Sequence, residues 1–488
     1  MGSGRAAARR AALRLTVARL VSLVAMVAGL AVLARLLDPA DFGAFALAMA
    51  IFAVARTICE AGFLQDAIRR EAPMPAGTLA LAAALSFGLS AIMVLLAIGA
   101  AAVLPGGAED GPLAQMLVPM ALTLPVGALI LQREARLHRE VAFDAPALAG
   151  VVGTVAQVAA GIGLAASGWG AMALAWGFAA GTAARAAALM LLSQGARPVR
   201  PKLRDLRPLV GFGLRMTSVS LLPKLADLAL IAALTALAGA AATGLYNRAQ
   251  RVCRLLDEAI FEGLRPMILP VISRALRDGM RPAQVVAAKH DYLAPVAFAG
   301  FGAIALLAEP LVLTLLGAGW EAAVTPVRIL ALAGLTMPVN KMSLKLFTAM
   351  GRLGDYAVIQ NVHLGARIAL GAAGALVSLE AFCLAILAAN YLKAALILRW
   401  EARNAHAPLR DLAAPALRGA GIAALALAGP ALLLWSAALP APLMLAAALA
   451  IALPAWLLGL RLARHRLAGE IGAVARSLPL LRRLQGLR

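Results

Sequence analysis

Leu79 to Val103 reads LALAAALSFGLSAIMVLLAIGAAAV, 25 residues without a charge. As a helix that run is long enough to cross the roughly 30 Å hydrocarbon core of a bilayer. A strand of a transmembrane barrel would instead be about 10 residues long and would alternate apolar with polar side chains. Neither this run nor Ile422 to Trp435 alternates, so the spans are helices. Comparable apolar stretches recur along the whole chain. Of its 488 residues, 62% are hydrophobic and 14% charged, which leaves too little polar surface to cover a soluble core of this size. The reading is an all-α polytopic membrane protein.

Spans are predicted to begin near 15, 43, 78, 113, 146, 169, 209, 242, 291, 323, 356, 380, 411 and 440, about fourteen in all. The segments between them alternate in charge, which sets orientation by the positive-inside rule. One set holds Arg69 and Arg70, then Arg133, Arg136 and Arg139, then Arg197, Arg200, Lys202, Arg204 and Arg207. Later members hold Arg274, Arg277, Arg281, Lys289, Arg352, Arg399, Arg403 and Arg410, with a basic tail from Arg461. The opposite set is short and acidic, with Asp38, Asp41, Glu109, Asp110, Glu321 and Glu380 against the single Arg35. Both termini are therefore expected on the cytoplasmic side, and the number of spans should be even. Arg5, Arg9, Arg10 and Arg14 resemble the basic start of a secretory signal. The apolar stretch behind them runs to Leu37 and leads into another span, so cleavage is not expected.

A net charge of +21 would suggest nucleic acid in a soluble protein, but here much of the charge lies between spans and nucleic acid is not an expected partner. Cys59, Cys253 and Cys383 fall in apolar segments without metal-type spacing and read as small apolar residues. Asp38-Pro39-Ala40-Asp41 reads as a helix start: a cap, a proline at the first helical position, and an acid favoured by the helix dipole. Trp169, Trp320 and Trp435 lie near predicted outer ends, where indoles anchor at the interface. A faint internal repeat emerges at a shift of 201 residues, which aligns Gly43, Phe45, Ala48 and Gly62 with Gly244, Tyr246, Ala249 and Gly263. The shift carries the start of span two onto that of span eight, as two six-helix lobes of the same orientation require. The expected division is a basic N-terminus (1–14), an N-lobe (15–194), a basic linker (195–208), a C-lobe (209–402), two further spans (403–462) and a basic tail (463–488).

Ionisable groups at membrane depth face a water-filled cavity or a partner. Arg19 lies early in span one, Arg56 and Glu60 sit four apart in span two, and Arg215, Lys224 and Asp227 occupy span seven. Span ten has Lys341 and Lys345, and span eleven Arg367. In span eight, Arg248, Arg251, Arg254, Glu258, Glu262 and Arg265 project within a third of the helix circumference. That helix has one wet face and should line a central cavity. The alternative is local pairing: Arg56 with Glu60, Lys224 with Asp227, Arg254 with Glu258 and Glu262 with Arg265 are all at helical contact spacing. It does not account for Arg19, Arg215, Arg248, Arg251, Lys341, Lys345 or Arg367; of these Arg215, Lys345 and Arg367 lie near inner ends, from which a long side chain can snorkel to water. The others suit a positive cavity for a phosphate or diphosphate. The candidate substrate-binding residues are thus Arg19, Arg56, Lys224, Arg248, Arg251 and Lys341, with Glu60, Asp227 and Glu258 as coupling groups or ion-pair partners. No phosphate loop of the G-x-x-x-x-G-K-[ST] type is present, Gly161-Ile162-Gly163 lacks the rest of a dinucleotide fingerprint, and neither a cofactor nor a metal is expected.

Three stretches carry a family likeness. LARLLDPADFGAFALAMAIFAVARTICEAGFLQDAIRR (33–70) has Leu37, Pro39, Asp41, Phe42, Gly43, Glu60 and Gly62 at marked positions. GLYNRAQRVCRLLDEAIFEGLRPMILPVISR (244–274) has Tyr246-Asn247-Arg248-Ala249 and Pro270, and LLGAGWEAAVTPVRILALAG spans 315–334. From about residue 15 to 400 the chain resembles the polysaccharide transporter, or oligosaccharide flippase, family of the multidrug/oligosaccharidyl-lipid/polysaccharide exporter superfamily. The resemblance implies two lobes working by alternating access, with no enzymatic step. Its implied cargo is an undecaprenyl-diphosphate-linked oligosaccharide moved from the inner to the outer leaflet of the bacterial inner membrane. It also implies that Arg19, Arg56, Arg248 and Arg251 hold the diphosphate. Membrane lipids and polysaccharide polymerase or export machinery are the partners it suggests.

Two rivals stand beside this reading. A multidrug exporter of the same superfamily would use acidic groups such as Glu60, Asp227, Asp257, Glu258 and Glu262, which basic groups outnumber in the same spans. A membrane polymerase or glycosyltransferase would need catalytic groups in sizeable aqueous loops. The outer loops are short, and Glu109-Asp110 sits in the turn GGAEDGP. His138, His290, His363, His406 and His465 are scattered.

Overall fold

The computed structural model describes residues 2–60, 84, 86–95, 112–139, 144–193, 207–261, 265–469 and 471, and among them the regular structure is helical. The first helices are α1 (Gly2–Leu36), α2 (Pro39–Glu60), α3 (Ser86–Leu95), α4 (Pro112–Arg139), α5 (Asp144–Ala166) and α6 (Met172–Leu192). Then come α7 (Arg207–Phe261), α8 (Arg265–Arg277), α9 (Pro282–Leu306), α10 (Ala308–Leu315), α11 (Val324–Gly334), α12 (Met337–Asn340) and α13 (Ser343–Ala349). The last are α14 (Leu353–Ala375), α15 (Leu379–Asn404), α16 (Leu409–Ser436) and α17 (Ala441–Leu462).

Among the described residues, 8 helices are long and apolar enough to cross a membrane, or up to 10 if each of two bent pairs is one span. Large apolar side chains such as Leu191, Leu417, Leu432 and Leu453 stand exposed on them, as lipid-facing residues must. The predicted spans at 15 and 78 are represented by the shorter apolar helices Leu20–Leu36 and Ser86–Leu95. Spans seven and eight, expected as separate helices, run together as α7, broken at Gly239 with φ 89° and ψ 166°. A side chain at that backbone angle would clash, so glycine permits the break. Span nine is a broken helix, α9 meeting α10 at 73°, and span ten is another, bent by 48° between the segment ending at Gly334 and that starting at Met337.

The chain divides into two compact units, 1–247 with 315–317, and 248–314 with 318–488. In the first, α5 packs on α1 and α6, and α4 on α2 and α6. Glycines let α5 and α6 touch: a Cβ on Gly181 would stand 2.8 Å from the carbonyl oxygen of Gly153. Phe52, Met116, Met120 and Leu124 form the core between α2 and α4, and Phe178 sets its ring edge-on to Phe52 at 5.2 Å. α2 starts at Pro39, and the Asp41 carboxylate accepts the Asp38 N–H at 3.1 Å, so the acid at the third position closes the turn from within. Just inside that start, α2 crosses α7. A Cβ on Gly43 would sit 1.8 Å from the Ala240 carbonyl oxygen, and one on Gly244 would sit 1.8 Å from the Pro39 carbonyl oxygen. The positions that the repeat aligns are here in reciprocal contact.

In the second unit, α9 packs on α11 and α16, α14 on α15, and α16 on α17. Trp456 of α17 donates its indole N–H to the Pro295 carbonyl at 3.1 Å, tying the last helix to α9. Phe347 stacks on Trp400 at 3.9 Å in a core with Ile272, Val286 and Ile359. Beside it, before α14 turns apolar, the Trp400 indole and the Arg352 guanidinium both donate to Asp355 at 2.8 Å and hold its carboxyl below the usual range. Trp169 and Trp435 are 51% and 88% exposed, as interface anchors would be, but Trp320 is 2% exposed and belongs to the core. Its position at a predicted outer end gave no sign of the packing that covers it.

Candidate functional site

Each unit contains a polar cleft of its own. In the first, α2, α4, α5 and α6 enclose about 270 Å³ lined by Arg56, Glu60, Glu134, Gln157 and Arg185, with Thr123, Thr154 and Thr182. Arg56 Nε donates to Glu60 Oε1 at 2.6 Å, so the pairing expected from the four-residue spacing is present. Both members are substantially exposed, and such a pair contributes little to stability and opens readily. Arg185 of α6 bonds Glu134 of α4 across the same cleft. The lining therefore holds two cations and two carboxylates.

The second unit begins on α7 at Arg248, which is half-buried. One turn on, Arg251 Nη1 donates to Glu258 Oε1 at 2.6 Å, over seven residues. Arg254, four residues before Glu258, donates one turn back to Gln250 at 2.8 Å. Two turns of helix bring Arg251 and Glu258 onto one face, and their long side chains lean together. Glu262 lies outside the described residues, as does the side chain of Arg265, which opens α8.

Next to this stripe is a cleft of about 420 Å³, lined by Gln250, Arg254, Asp257, Thr336, Asn340, Lys341, Asn390 and Lys393. Lys341 lies at the break between α12 and α13, where its extended backbone (ψ 149°) is followed by Met342 at φ 63°. From there its ammonium reaches Asp257 at 2.6 Å. No acid lies at helical spacing from Lys341, so its partner could not be read from the sequence. Lys393 donates to Gln360 at 2.8 Å and lies 5.7 Å from the centre of the Tyr356 ring. Three cations against one carboxylate make this lining electropositive, and its amides and hydroxyls offer further donors to an anion.

A family model for polysaccharide biosynthesis proteins matches residues 32–325, more than half of the chain. The chain belongs to that family. No curated protein matches it. Among solved structures, its fold is similar to the lipid II flippase MurJ in an inward closed conformation. Identity there is 12% and the TM-score 0.70, over 91% of this chain and 97% of that one. It is also similar to an inward-facing multidrug resistance MATE family transporter of the MOP superfamily, at 15% identity and TM-score 0.62, over 82% of this chain and 99% of that one. The family member described here is thus a multi-pass membrane protein with the fold of MOP-superfamily transporters.

Its other expected site residues are dispersed. Lys224 is exposed on α7, one turn before Asp227, and Arg19 lies on α1 with its side chain outside the described residues. Sequence spacing also missed a cluster in which Glu401 of α15 receives Lys289 at 2.5 Å and His290 at 2.9 Å, both from α9. Lys289 and Glu401 side chains are 4% and 0% exposed, so Lys289 is a buried ion-pair member instead of the solvated inner charge expected of it. The partners are 112 residues apart, beyond any local pattern.

Proposed function

We propose that this transporter flips an undecaprenyl-diphosphate-linked oligosaccharide from the inner to the outer leaflet of a bacterial inner membrane. The observation that carries the reading is the electropositive cleft of Arg254, Lys341 and Lys393 in a polysaccharide-biosynthesis family member. Arg248 and Arg251 lie on the helix that carries Arg254, and Arg56 and Arg185 line the cleft of the first unit. The diphosphate binds the cations of the second unit's cleft through charge-assisted hydrogen bonds, while the polyprenyl chain stays among lipid-facing helices. The working architecture is two six-helix lobes, 15–194 and 209–402, with two further spans in 403–462 and both termini cytoplasmic. Rocking of the lobes exposes the saccharide outside, and no bond is made or broken.

Each negative charge moving outward across an inside-negative potential gains about 2.3 kcal/mol per 100 mV. The paired carboxylates Glu60 and Asp257 favour a second reading, a cation exporter like the MATE transporter of similar fold. Mass spectrometry of lipid-linked saccharides and their sidedness, in cells with and without the protein, decides between them. Cytoplasmic-leaflet accumulation of a complete diphosphate-linked repeat unit without the protein supports the flippase. An unchanged pool supports the exporter, and an incompletely built glycan would point to an enzyme instead.

A further inference from the structure

A further charged pocket lies in the second unit, where α9, the early part of α16 and the turn after α17 meet. It encloses about 530 Å³, and Asp291, Asp411, Arg418, Arg464, His465 and Arg466 supply its charged and titratable groups. Asp291 is already engaged: Arg418 Nη2 lies 3.0 Å from one carboxylate oxygen and His465 Nε2 lies 3.5 Å from the other. His465 is buried and its ring is oriented from both sides. The Leu467 N–H donates to Nδ1 at 3.2 Å, and Nε2 is 3.1 Å from the Asp291 carbonyl oxygen. Asp411 is exposed, with Arg410 3.6 Å away.

Among the described residues, the pocket's lining sets three arginines, Arg418, Arg464 and Arg466, against two aspartates, Asp291 and Asp411, and Asp291 is held by Arg418. Arg464 and Arg466 flank His465, and Arg464 takes φ 47°, a left-handed backbone that arginine seldom adopts. The turn therefore contributes two exposed arginines to the lining of one pocket, on either side of a buried ring. Leu417, exposed and apolar, precedes Arg418 on α16, and Leu462, likewise exposed, ends α17 two residues before Arg464. Cationic heads next to exposed apolar surface, at the ends of three helices assigned to the membrane, match the boundary between phosphate groups and acyl chains.

We propose that this pocket binds a phosphate group, presented by an anionic phospholipid headgroup or free in solution, with Arg464 and Arg466 as its ligands. The site is independent of the transported cargo. The test is titration of the full-length protein in detergent micelles with phosphatidylglycerol, phosphatidylcholine or inorganic phosphate, read by native mass spectrometry and by the shift in thermal midpoint. The lipid form of the site predicts preferential retention of phosphatidylglycerol, and a loss of about tenfold in its affinity in the R464Q/R466Q double variant. Both replaced side chains are exposed, and an unchanged midpoint without added ligand shows that the variant folds. R274Q/R277Q, which removes the same charge from α8, should bind as the parent does. Binding of inorganic phosphate that vanishes in R464Q/R466Q, with no preference between the two lipids, would support the site and assign it to soluble phosphate. Unchanged affinity for both probes in R464Q/R466Q, or an equal loss in R274Q/R277Q, would overturn the proposal.

Discussion

Lys289, His290 and Glu401 lie together in the second unit with their side chains almost wholly removed from solvent. The ammonium also donates to the Val339 carbonyl at 3.1 Å, so this one group links α9, α12 and α15. Removing the carboxylate leaves a buried cation without its counter-charge. Glu401→Ala should cost about 3–5 kcal/mol, seen as a lower denaturation midpoint in detergent. Lys289→Met with Glu401→Leu should cost less than Glu401→Ala alone, because no uncompensated charge remains; a larger loss in the double variant would mean that packing, not charge, decides the effect. Arg248 offers the functional counterpart. Arg248→Glu should abolish transport while membrane insertion and yield stay normal, and full transport by a correctly inserted variant would remove Arg248 from the site. The sequence marked Arg56 with Glu60 because both lie on one helix. It missed Asp257 with Lys341 and Glu134 with Arg185 because those partners come from different helices.

Helix boundaries and breaks set where these groups stand. The apolar runs specify helices, but a run of hydrophobic residues is silent about a bend within it. Gly239 interrupts α7 with a backbone angle that only glycine tolerates easily, and the break after Asn340 turns Lys341 toward Asp257. The crossing of α2 and α7 depends on two further glycines. Gly43→Ala should force the Ala240 carbonyl away and destabilise the fold by about 1–3 kcal/mol, as overpacking does. Gly244→Ala should do the same against Pro39. Gly163→Ala, where an added methyl meets nothing within 4 Å, is the control and should leave thermal stability nearly unchanged. Equal midpoints for all three variants would show that the crossing has room to relax. The weak repeat thus has a physical counterpart, since small residues at aligned positions let two backbones touch.

On the scale of the whole molecule, charge distribution carries the functional reading. A net charge of +21 concentrated between apolar spans predicts orientation, and the cations inside the spans predict an anionic cargo. If the cargo crosses as a diphosphate, flipping should respond to membrane potential. In proteoliposomes, an inside-negative diffusion potential should speed outward movement of a lipid-linked diphosphate saccharide and collapse of the potential should slow it, the driving force being about 2.3 kcal/mol per charge per 100 mV. Rates indifferent to potential would mean that the charge is neutralised before it crosses, as by a co-transported cation.

The sequence by itself determined that the protein is helical and membrane-embedded, because span length and hydrophobicity follow from the bilayer's thickness and its lack of hydrogen-bonding partners. It also determined the family likeness, the start of α2 at Pro39 and the local pair of Arg56 with Glu60, each fixed by residues within a few positions of one another. Only the tertiary structure decided that Lys341 meets Asp257, that Glu401 gathers Lys289 and His290, that Trp320 is covered, and that His465 of the turn after α17 sits against Asp291 of α9. Those contacts join segments distant along the chain. Their geometry depends on helix crossings and backbone breaks, which hydrophobicity and spacing do not encode.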